Sequence, residues 1–399
     1  MPSVTVNADL FPSEKIININ ASDLFDAYTQ YAKATKIETE RVIDFYKNLP
    51  DYDKILDKSK HHLDLLLQVR KTHPDCFTTS DGVNHLENYL QAFTGFCQGS
   101  EISLELGALL QIELESGCQS LTALHHPTNS VIGLHTEEDD TAFKRFGSPD
   151  IGKFWITMKY GQRSISYMSY AGICAYGNTT TVLIEPNQVL FAPSDVLGPV
   201  VEGAIWANAV CFMILDCGNI SLINELISNL NRLPPPKFFG GYIITPVECR
   251  PQPKMTQIEF GGNLITANPP ESINDFSVHT GVNYPHNDYL QSIESYNNSA
   301  DPEFTRLQEI RSIFEKRYQT FSNLISALKA NDLNQPLLTI TNMLLTRDGE
   351  WRQEWFTGFS NCYVASHSKF HIDSQGNLEI HLINGSPQSP VPPPPHPTS

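Results

Sequence analysis

The pattern of apolar residues changes at Ser116-Gly117-Cys118, and this change constrains the fold more than any other feature of the sequence. Before it, apolar residues recur every three to four positions, as in amphipathic helices packed on a core. Helices are predicted at Ser22–Asn48, Tyr52–Thr72, Asn84–Cys97 and Glu101–Glu115, the last with Ser100 as its N-cap. After it, short β-forming runs alternate with turn residues. We therefore expect an α+β fold.

The sequence pattern after Cys118 predicts hairpins interrupted by helices. One hairpin is expected over Cys118–His135 and another over Gly152–Tyr176, each around a central turn. The other predicted elements are strands at 179–191, Gly241–Val247, Gln257–Phe260, Asn263–Ala267, 361–372 and 378–385, and helices at Asn219–Leu233, Pro302–Ala330 and Gln335–Leu345. A proline-rich tail begins at Pro387 and is expected to be disordered. Two mixed sheets between helical layers would satisfy this order.

Charge and composition exclude several kinds of partner. The 44 acidic and 27 basic side chains give a net charge of −17, which repels nucleic-acid phosphates and anionic membranes. The longest apolar run, Ala204–Leu215, is too short to span a bilayer, and the N-terminus has no visible secretory signal. None of the eight cysteines forms a Cys-x-x-Cys pair, and buried free thiols are expected at Cys174 and Cys211. These features predict a cytoplasmic protein in a reducing compartment.

Five segments together resemble a known enzyme family. They are ELGALLQIELESGCQSLTAL around Cys118, LHTEED at 134–139, LITANPP at 264–270, DPEFTRLQEIR at 301–311 and the closing stretch 361–387. In order and spacing they are similar to the acyl-coenzyme A:6-aminopenicillanic acid acyltransferase-like family of N-terminal nucleophile (Ntn) hydrolases, which is related to the bile-salt hydrolase and penicillin V acylase branch. The resemblance covers roughly residues 85–387, and the first 80 residues carry no part of it.

This resemblance implies a fold and a maturation step. The fold is a four-layer αββα sandwich preceded by a helical pro-segment. It divides the chain into a pro-segment or small subunit (1–117), a catalytic domain (118–386) and a tail (387–399). The implied maturation is self-cleavage of the Gly117–Cys118 bond, which makes Cys118 a new chain start. Its freed α-amine then becomes the base for its own thiol, since the two groups titrate near ~8 and ~8.5.

The resemblance also assigns site residues. It implies Cys118 as the nucleophile, Glu138 as the site carboxylate, Asn268 as an oxyanion donor and Arg306, with Arg311 as a rival, as a further site residue. The sequence departs from the family pattern at Gln119 and Thr136, and at Glu138, where Asp is usual and where Glu137 or Asp139 would fit after a one-residue slip. By composition alone, the acidic cluster is typical of a solvated turn, and a cysteine in a sheet is typical of a buried structural thiol.

The function expected from these residues is hydrolysis of a non-peptide amide, an acylated small amine or amino acid, through an acyl-enzyme on Cys118. Two alternatives remain open: acyl transfer from a thioester to an amine, and an inactive Ntn-fold binding module. No cofactor is expected, and no metal either, because the adjacent His125 and His126 point to opposite faces of a strand. The expected partner is a small-molecule amide substrate, and a homo-oligomer is left open.

Overall fold

A computed structural model describes residues 2–112, 117–138, 153–174, 176–177, 179–197, 203–281 and 364–384. For some strand residues, Cys118 and Glu137 among them, it describes the backbone alone. The α-helices of these ranges, in chain order, are α1 (Leu24–Ala34), α2 (Lys36–Lys47), α3 (Tyr52–Thr72), α4 (His85–Ser100), α5 (Leu104–Ile112), α6 (Ala207–Asp216) and α7 (Ile220–Leu230). None of them combines the length and the apolar character needed to cross a lipid bilayer.

The strands of the same ranges form three sheets. In chain order they are β1 (Val4–Leu10), β2 (Ile16–Ala21), β3 (Gly117–His125), β4 (Ser130–Glu138), β5 (Lys153–Tyr160), β6 (Arg163–Tyr170), β7 (Thr181–Glu185), β8 (Gln188–Ala192), β9 (Ser194–Leu197), β10 (Ile205–Trp206), β11 (Phe238–Ile244), β12 (Val247–Cys249), β13 (Lys254–Met255), β14 (Gln257–Gly262), β15 (Leu264–Asn268), β16 (Glu271–Ile273), β17 (Phe276–Gly281), β18 (Val364–Ile372) and β19 (Leu378–Asn384). Sheet I has the order β1-β19-β18-β4-β3-β17-β16, and sheet II has the order β13-β12-β8-β7-β6-β5-β2. The small sheet has the order β10-β11-β14-β15, with β9 also paired to β11.

Sheets I and II pack face to face. Phe191 of sheet II meets Phe370 of sheet I with ring centroids 4.3 Å apart, and the Phe370 ring lies where any side chain at Gly133 would overlap it. Because side chains alternate along a strand, Trp155 of β5 enters this inter-sheet core while its neighbour Phe154 packs on the other face of sheet II, in the cluster that includes the helices. The described layers are therefore helices, sheet II and sheet I, which confirms the α+β class.

The helical layer is built around α1 and α4. The buried residues on one face of α1 are Leu24, Ala27, Tyr28, Tyr31 and Ala32, the spacing of an amphipathic helix. Asp23 caps the helix by accepting a hydrogen bond from the Asp26 backbone N–H at 2.9 Å. The Tyr31 hydroxyl donates to the Tyr170 carbonyl at 3.2 Å, which ties the helical layer to the end of β6.

The first 21 residues form two strands that were not predicted. β1 pairs parallel with β19, and β2 pairs parallel with β5. The prediction of an entirely helical segment over residues 1–117 is therefore wrong at its start. Parallel partners are distant in sequence, as in the bond from the Ser3 N–H to the Asn377 side chain across 374 positions, so local periodicity carries no sign of them.

The helix predictions needed four further corrections. The single helix predicted at Ser22–Asn48 is two helices that meet at Thr35, and α5 begins only at Leu104. Ser100 is the last residue of α4 rather than the cap of α5; Ser103 has that role, accepting from the Leu106 backbone N–H at 3.3 Å. Helix α6 was not predicted, because its residues are buried nearly all round and show no polar face.

The run predicted as a single strand at 179–191 is instead two antiparallel strands, β7 and β8. Several other predictions are confirmed, and some are untested. Both predicted hairpins are confirmed as β3–β4 and β5–β6, and the prediction for α3 agrees at both ends. The closing strands are confirmed as β18 and β19. The helices predicted at Pro302–Ala330 and Gln335–Leu345 and the tail from Pro387 lie outside the described residues.

Phe370→Ala is expected to lower the free energy of unfolding by about 3–5 kcal/mol, because it leaves a cavity between the two sheets. Lys254→Ala, at an exposed position of β13, is the control and should change it by about 0.5 kcal/mol or less. Denaturant unfolding followed by circular dichroism measures both. A loss below about 1 kcal/mol for Phe370→Ala would contradict the described packing.

Candidate active site

Cys118 is the second residue of β3, so the predicted cleavage bond lies where this strand begins. β3 is an inner strand of sheet I, paired antiparallel with β4 and with β17. The register sets Cys118 opposite Glu137 and Gly117 opposite Glu138. The hairpin therefore brings Cys118 and the predicted acidic cluster to the same end of sheet I.

The register also decides which acidic position shares a face with Cys118. Opposite residues of an antiparallel pair belong to the same face, and neighbours along a strand belong to opposite faces. Cys118 and Glu137 belong to the set that continues to Leu124 and Val131, which pack in the inter-sheet core. Glu138 belongs to the other set. The carboxylate chosen from the sequence is thus one residue away from the position paired with Cys118.

A buried histidine lies close to this end of β3. His135 is fully buried and is paired in register with Ser120, two residues beyond Cys118. Its Nδ1 lies 2.6 Å from the Thr180 hydroxyl, which lies 2.8 Å from the Ser368 hydroxyl. The backbone of Ser194, the first residue of β9, also interacts with the ring. His135 therefore links sheet I to the start of β7 in sheet II and to the small sheet.

The environment of His135 determines its protonation. Burial lowers the pKa of His135 to about 3, although the Ser194 backbone opposes the decrease. A general base works best with a pKa close to the working pH, so a neutral, weakly basic His135 is poorly suited to accept the thiol proton. Its contacts suit it to hold three sheets in place instead. His135 was not predicted as a site residue, and its only sequence signal is a polar residue at an inward position of an alternating strand.

Asn268, the predicted oxyanion donor, is the last residue of β15 in the small sheet. Its Nδ2 donates to the Glu259 carboxylate at 2.6 Å. Its register partner is Gln257, whose Nε2 donates to the Thr280 carbonyl of β17 at 3.0 Å. Since β17 is paired with β3, this face of the small sheet lies next to the strand pair that includes Cys118.

The other residues considered from the sequence are not brought to this end of sheet I by the described structure. Arg306, Arg311 and Asp139 lie outside the described residues. His125 and His126 have separate partners, the Thr128 hydroxyl at 2.8 Å and the Ser277 hydroxyl at 2.9 Å. Within the ranges that the structure describes, no three His, Cys, Asp or Glu residues are arranged to hold a metal ion.

The cysteines with described side chains are all free and buried. They are Cys76, Cys97, Cys174, Cys211, Cys217 and Cys249, which confirms the prediction for Cys174 and Cys211. Burial raises the pKa of the Cys97 thiol to about 12 and the pKa values of Cys174 and Cys211 well above their usual range. Because the thiolate is the reactive form, these six are unsuited to be nucleophiles.

A buried ionic network lies in the helical layer, around Asp216 at the end of α6. Its carboxylate accepts from His85 at 2.7 Å, Asn88 at 2.8 Å and Tyr176 at 3.1 Å, and it also binds the Arg163 guanidinium. Burial would raise the pKa of Asp216, but the His85 hydrogen bond and the Arg163 charge outweigh it, so the pKa is lowered. Four donors on four acceptor sites leave this carboxylate fully satisfied.

Part of this network has the connectivity of a hydrolase triad. The Thr79 hydroxyl lies 2.9 Å from His85 Nε2, and His85 Nδ1 lies 2.7 Å from Asp216. However, the Thr79 hydroxyl donates its single proton to Asp81 at 2.7 Å, so His85 has no proton to accept from it. The arrangement is therefore a closed structural network and not a nucleophilic site.

Comparisons with known proteins identify no family for this chain. Neither the models of protein families nor the curated proteins give a match to the sequence. The family resemblance therefore rests on the quoted segments, and the residue roles that it implies stay predictions.

Because His135 is buried as a neutral ring, we expect the fold to lose stability in acid. Its folded-state pKa of about 3 is below the ordinary value of 6.5, so between these values the unfolded chain binds the proton more tightly. Its contribution to stability is complete above pH 6.5 and is lost as the pH falls toward 3, at about 1.4 kcal/mol for each pH unit. His135→Gln should therefore lose less stability than the parent over this interval in urea titrations at each pH.

The matched control for this measurement is His126→Gln, because His126 is exposed. It should show the same dependence on pH as the parent. Equal acid sensitivity of His135→Gln and the parent would mean that His135 is not buried as a neutral ring.

Proposed function

We propose that the protein is a self-processing cysteine amidohydrolase with an Ntn-type αββα fold, acting on acylated small amines or amino acids. The observation that carries the proposal is the position of the Gly117–Cys118 bond. It lies at the first residues of an inner strand of a two-sheet sandwich, after helix α5, with Glu137 opposite Cys118.

The chemistry needs no group beyond the chain and water. The Cys118 thiol attacks the Gly117 carbonyl, the C–N bond breaks, and the α-amine leaves with the thiol proton as a thioester forms. Water then hydrolyses the thioester to the Gly117 carboxylate and the free Cys118 thiol. In turnover that amine takes the thiol proton, the thiolate attacks the substrate amide, and the amine product leaves with the proton. Water then releases the acyl group as a carboxylic acid and restores the thiol.

The other cysteines support Cys118 by elimination. Six of the eight are buried, and burial raises the pKa of the thiol in each. The remaining candidates are Cys118 and Cys362. Of these, only Cys118 follows a glycine at a strand start that matches the family segment, so we assign the nucleophile to Cys118.

The register supports Glu137 as the site carboxylate, with Glu138 as the alternative that the family spacing implies. Glu137 occupies the position opposite Cys118, and the β3–β4 pairing has no bulge that would exchange the two glutamates. A carboxylate beside the new α-amine stabilises its ammonium form and orients it toward the thiol.

The packing supports the four-layer sandwich. Helices, sheet II and sheet I supply three layers, and the outer face of sheet I is apolar and buried at Leu121, Leu134 and Val278. A second helical layer would bury such a face.

Denaturing mass spectrometry of the purified protein should show two chains, of 117 and 399 − 117 = 282 residues, the larger beginning with Cys118. Cys118→Ala should remain one chain without amidase activity, whereas Cys174→Ala, which removes a buried thiol, should be cut normally. Finding only the 399-residue species in active protein would refute self-processing.

The two chains should elute as one species in native size-exclusion chromatography. Residues 1–117 supply strands to both sheets, and His85 and Asn88 bind Asp216 beyond the cut.

Activity is measured by release of free amine from a panel of N-acylated amines and amino acids. Formation of amide from an acyl-thioester and an amine, without hydrolysis, would instead identify an acyltransferase.

Glu137→Gln should lower turnover by about 100-fold or more, because it removes the charge beside the α-amine while keeping the size of the side chain. Glu138→Gln, its neighbour on the other face, is the matched control and should retain most activity. Both are measured as kcat on protein shown by mass to be cut. The reverse result, with Glu138→Gln inactive and Glu137→Gln normal, would restore the carboxylate implied by the family spacing.

A further inference from the structure

The amide of Asn268 is bound by a carboxylate that is fully buried. Glu259 lies in the middle of β14, between β11 and β15, and has no solvent exposure. Its Oε2 accepts from Asn268 Nδ2 at 2.6 Å. The bond runs diagonally across the strand pair, because Asn268 is opposite Gln257, two residues before Glu259.

A carboxylate at this buried position lowers the stability of the fold, whereas an apolar side chain would not. Burying a carboxylate away from water is unfavourable unless hydrogen bonds compensate for the lost hydration. Ile243, the residue opposite Glu259 in β11, is apolar and fully buried. The hydrogen bond from Asn268 is one contact that compensates for this burial.

The chemistry of the two groups makes the contact directional. An amide has a donor end, Nδ2, and an acceptor end, Oδ1, which are nearly equal in size. In its ionised form a carboxylate only accepts hydrogen bonds, so ionised Glu259 binds Nδ2 and not Oδ1, which is the contact in the structure. The second hydrogen of Nδ2 remains available to another acceptor.

We propose that Glu259 is a positioning residue that fixes the orientation of the Asn268 amide, so that Nδ2 and not Oδ1 is available to the oxyanion at Cys118. The inference rests on the proposed function and adds a residue to it. In the opposite orientation, Oδ1 lone pairs would approach the developing negative charge and repel it.

The location of the pair is consistent with this role. Gln257, the register partner of Asn268, donates to the Thr280 carbonyl of β17 at 3.0 Å, and β17 is the strand paired with β3. β9, which extends the same small sheet, lies alongside β3. The amide held by Glu259 is thus on the part of the small sheet that adjoins the strand of the nucleophile.

The test is a double-mutant cycle with Glu259→Gln, Asn268→Ala and the double variant, measured as kcat and KM on the same amide substrate. Glutamine keeps the size of the side chain but offers both a donor and an acceptor, so it can bind either end of the Asn268 amide. Glu259→Gln should lower kcat by about 10-fold or more with little change in KM, as expected for an interaction made in the transition state. In the Asn268→Ala background the same change should have almost no further effect.

Glu248→Gln is the matched control. Glu248 is another buried glutamate, but it accepts from the Ile220 backbone N–H at 2.8 Å and has no described contact with Asn268. Its effect on kcat should be the same with and without Asn268. If Glu259→Gln does not fold, Glu259→Asp, which keeps the acceptor-only chemistry, replaces it and should keep more activity per folded molecule than Asn268→Ala.

The outcomes distinguish the positioning role of Glu259 from the proposed function of the protein. If the parent is cut and active but Glu259→Gln lowers kcat by the same factor in both backgrounds, only the positioning role is overturned. A loss of thermal stability without loss of kcat per folded molecule also overturns it. If the parent is neither cut nor active, the proposed function fails and the positioning role fails with it.

Discussion

Face-to-face packing of sheets I and II is the interaction on which the other features of this chain depend. It buries one face of each strand against the other sheet, so every inward position must be apolar or hydrogen-bonded. Phe191 and Phe370 satisfy this rule with apolar surface. His135 satisfies it with the chain of hydroxyls through Thr180 and Ser368. His135 and these two hydroxyls place polar groups in the inter-sheet layer near the end where β3 begins.

A second constraint holds the helical layer to the sheets. Asp216 is removed from water, and its charge is tolerated because donors from α4, β6 and the segment after β6 converge on it. His85 and Asn88 precede Cys118 in the chain, whereas Arg163 and Tyr176 follow it. With β1 and β2 paired to strands on the other side of the same point, the segment before Cys118 is an integral part of the fold. If the proposed cleavage occurs, this segment is therefore expected to stay bound as a subunit.

The elements that could be predicted from the sequence are those stabilised by near neighbours. The two hairpins have alternating residues around turn sequences, and α3 has one apolar face, so each carries its own signal. β1 and β2 pair with distant strands, and α6 is apolar on all sides, so no local period marks them. The position of Cys118 was predictable because it coincides with the change from helix to sheet. The contacts of His135 and Glu259 were not, because three sheets and two adjacent strands must first be assembled around them.

The same difference between local sequence signals and assembled contacts explains why the sequence implied Glu138 and the strand pairing implies Glu137. Counting residues from Cys118 along a family pattern implies Glu138, but a strand reverses its face at every residue. Pairing is therefore the stronger criterion, and the continuous β3–β4 register sets Glu137 opposite Cys118. The one irregularity at this end of the described ladder lies on the other side of β4, where the β18 pairing shifts between Val364 and Ser366. Bulges of this kind are frequent beside active sites, where they redirect a strand locally. This one adjoins both glutamates without altering their pairing with β3, so the register favours Glu137 as the residue opposite Cys118.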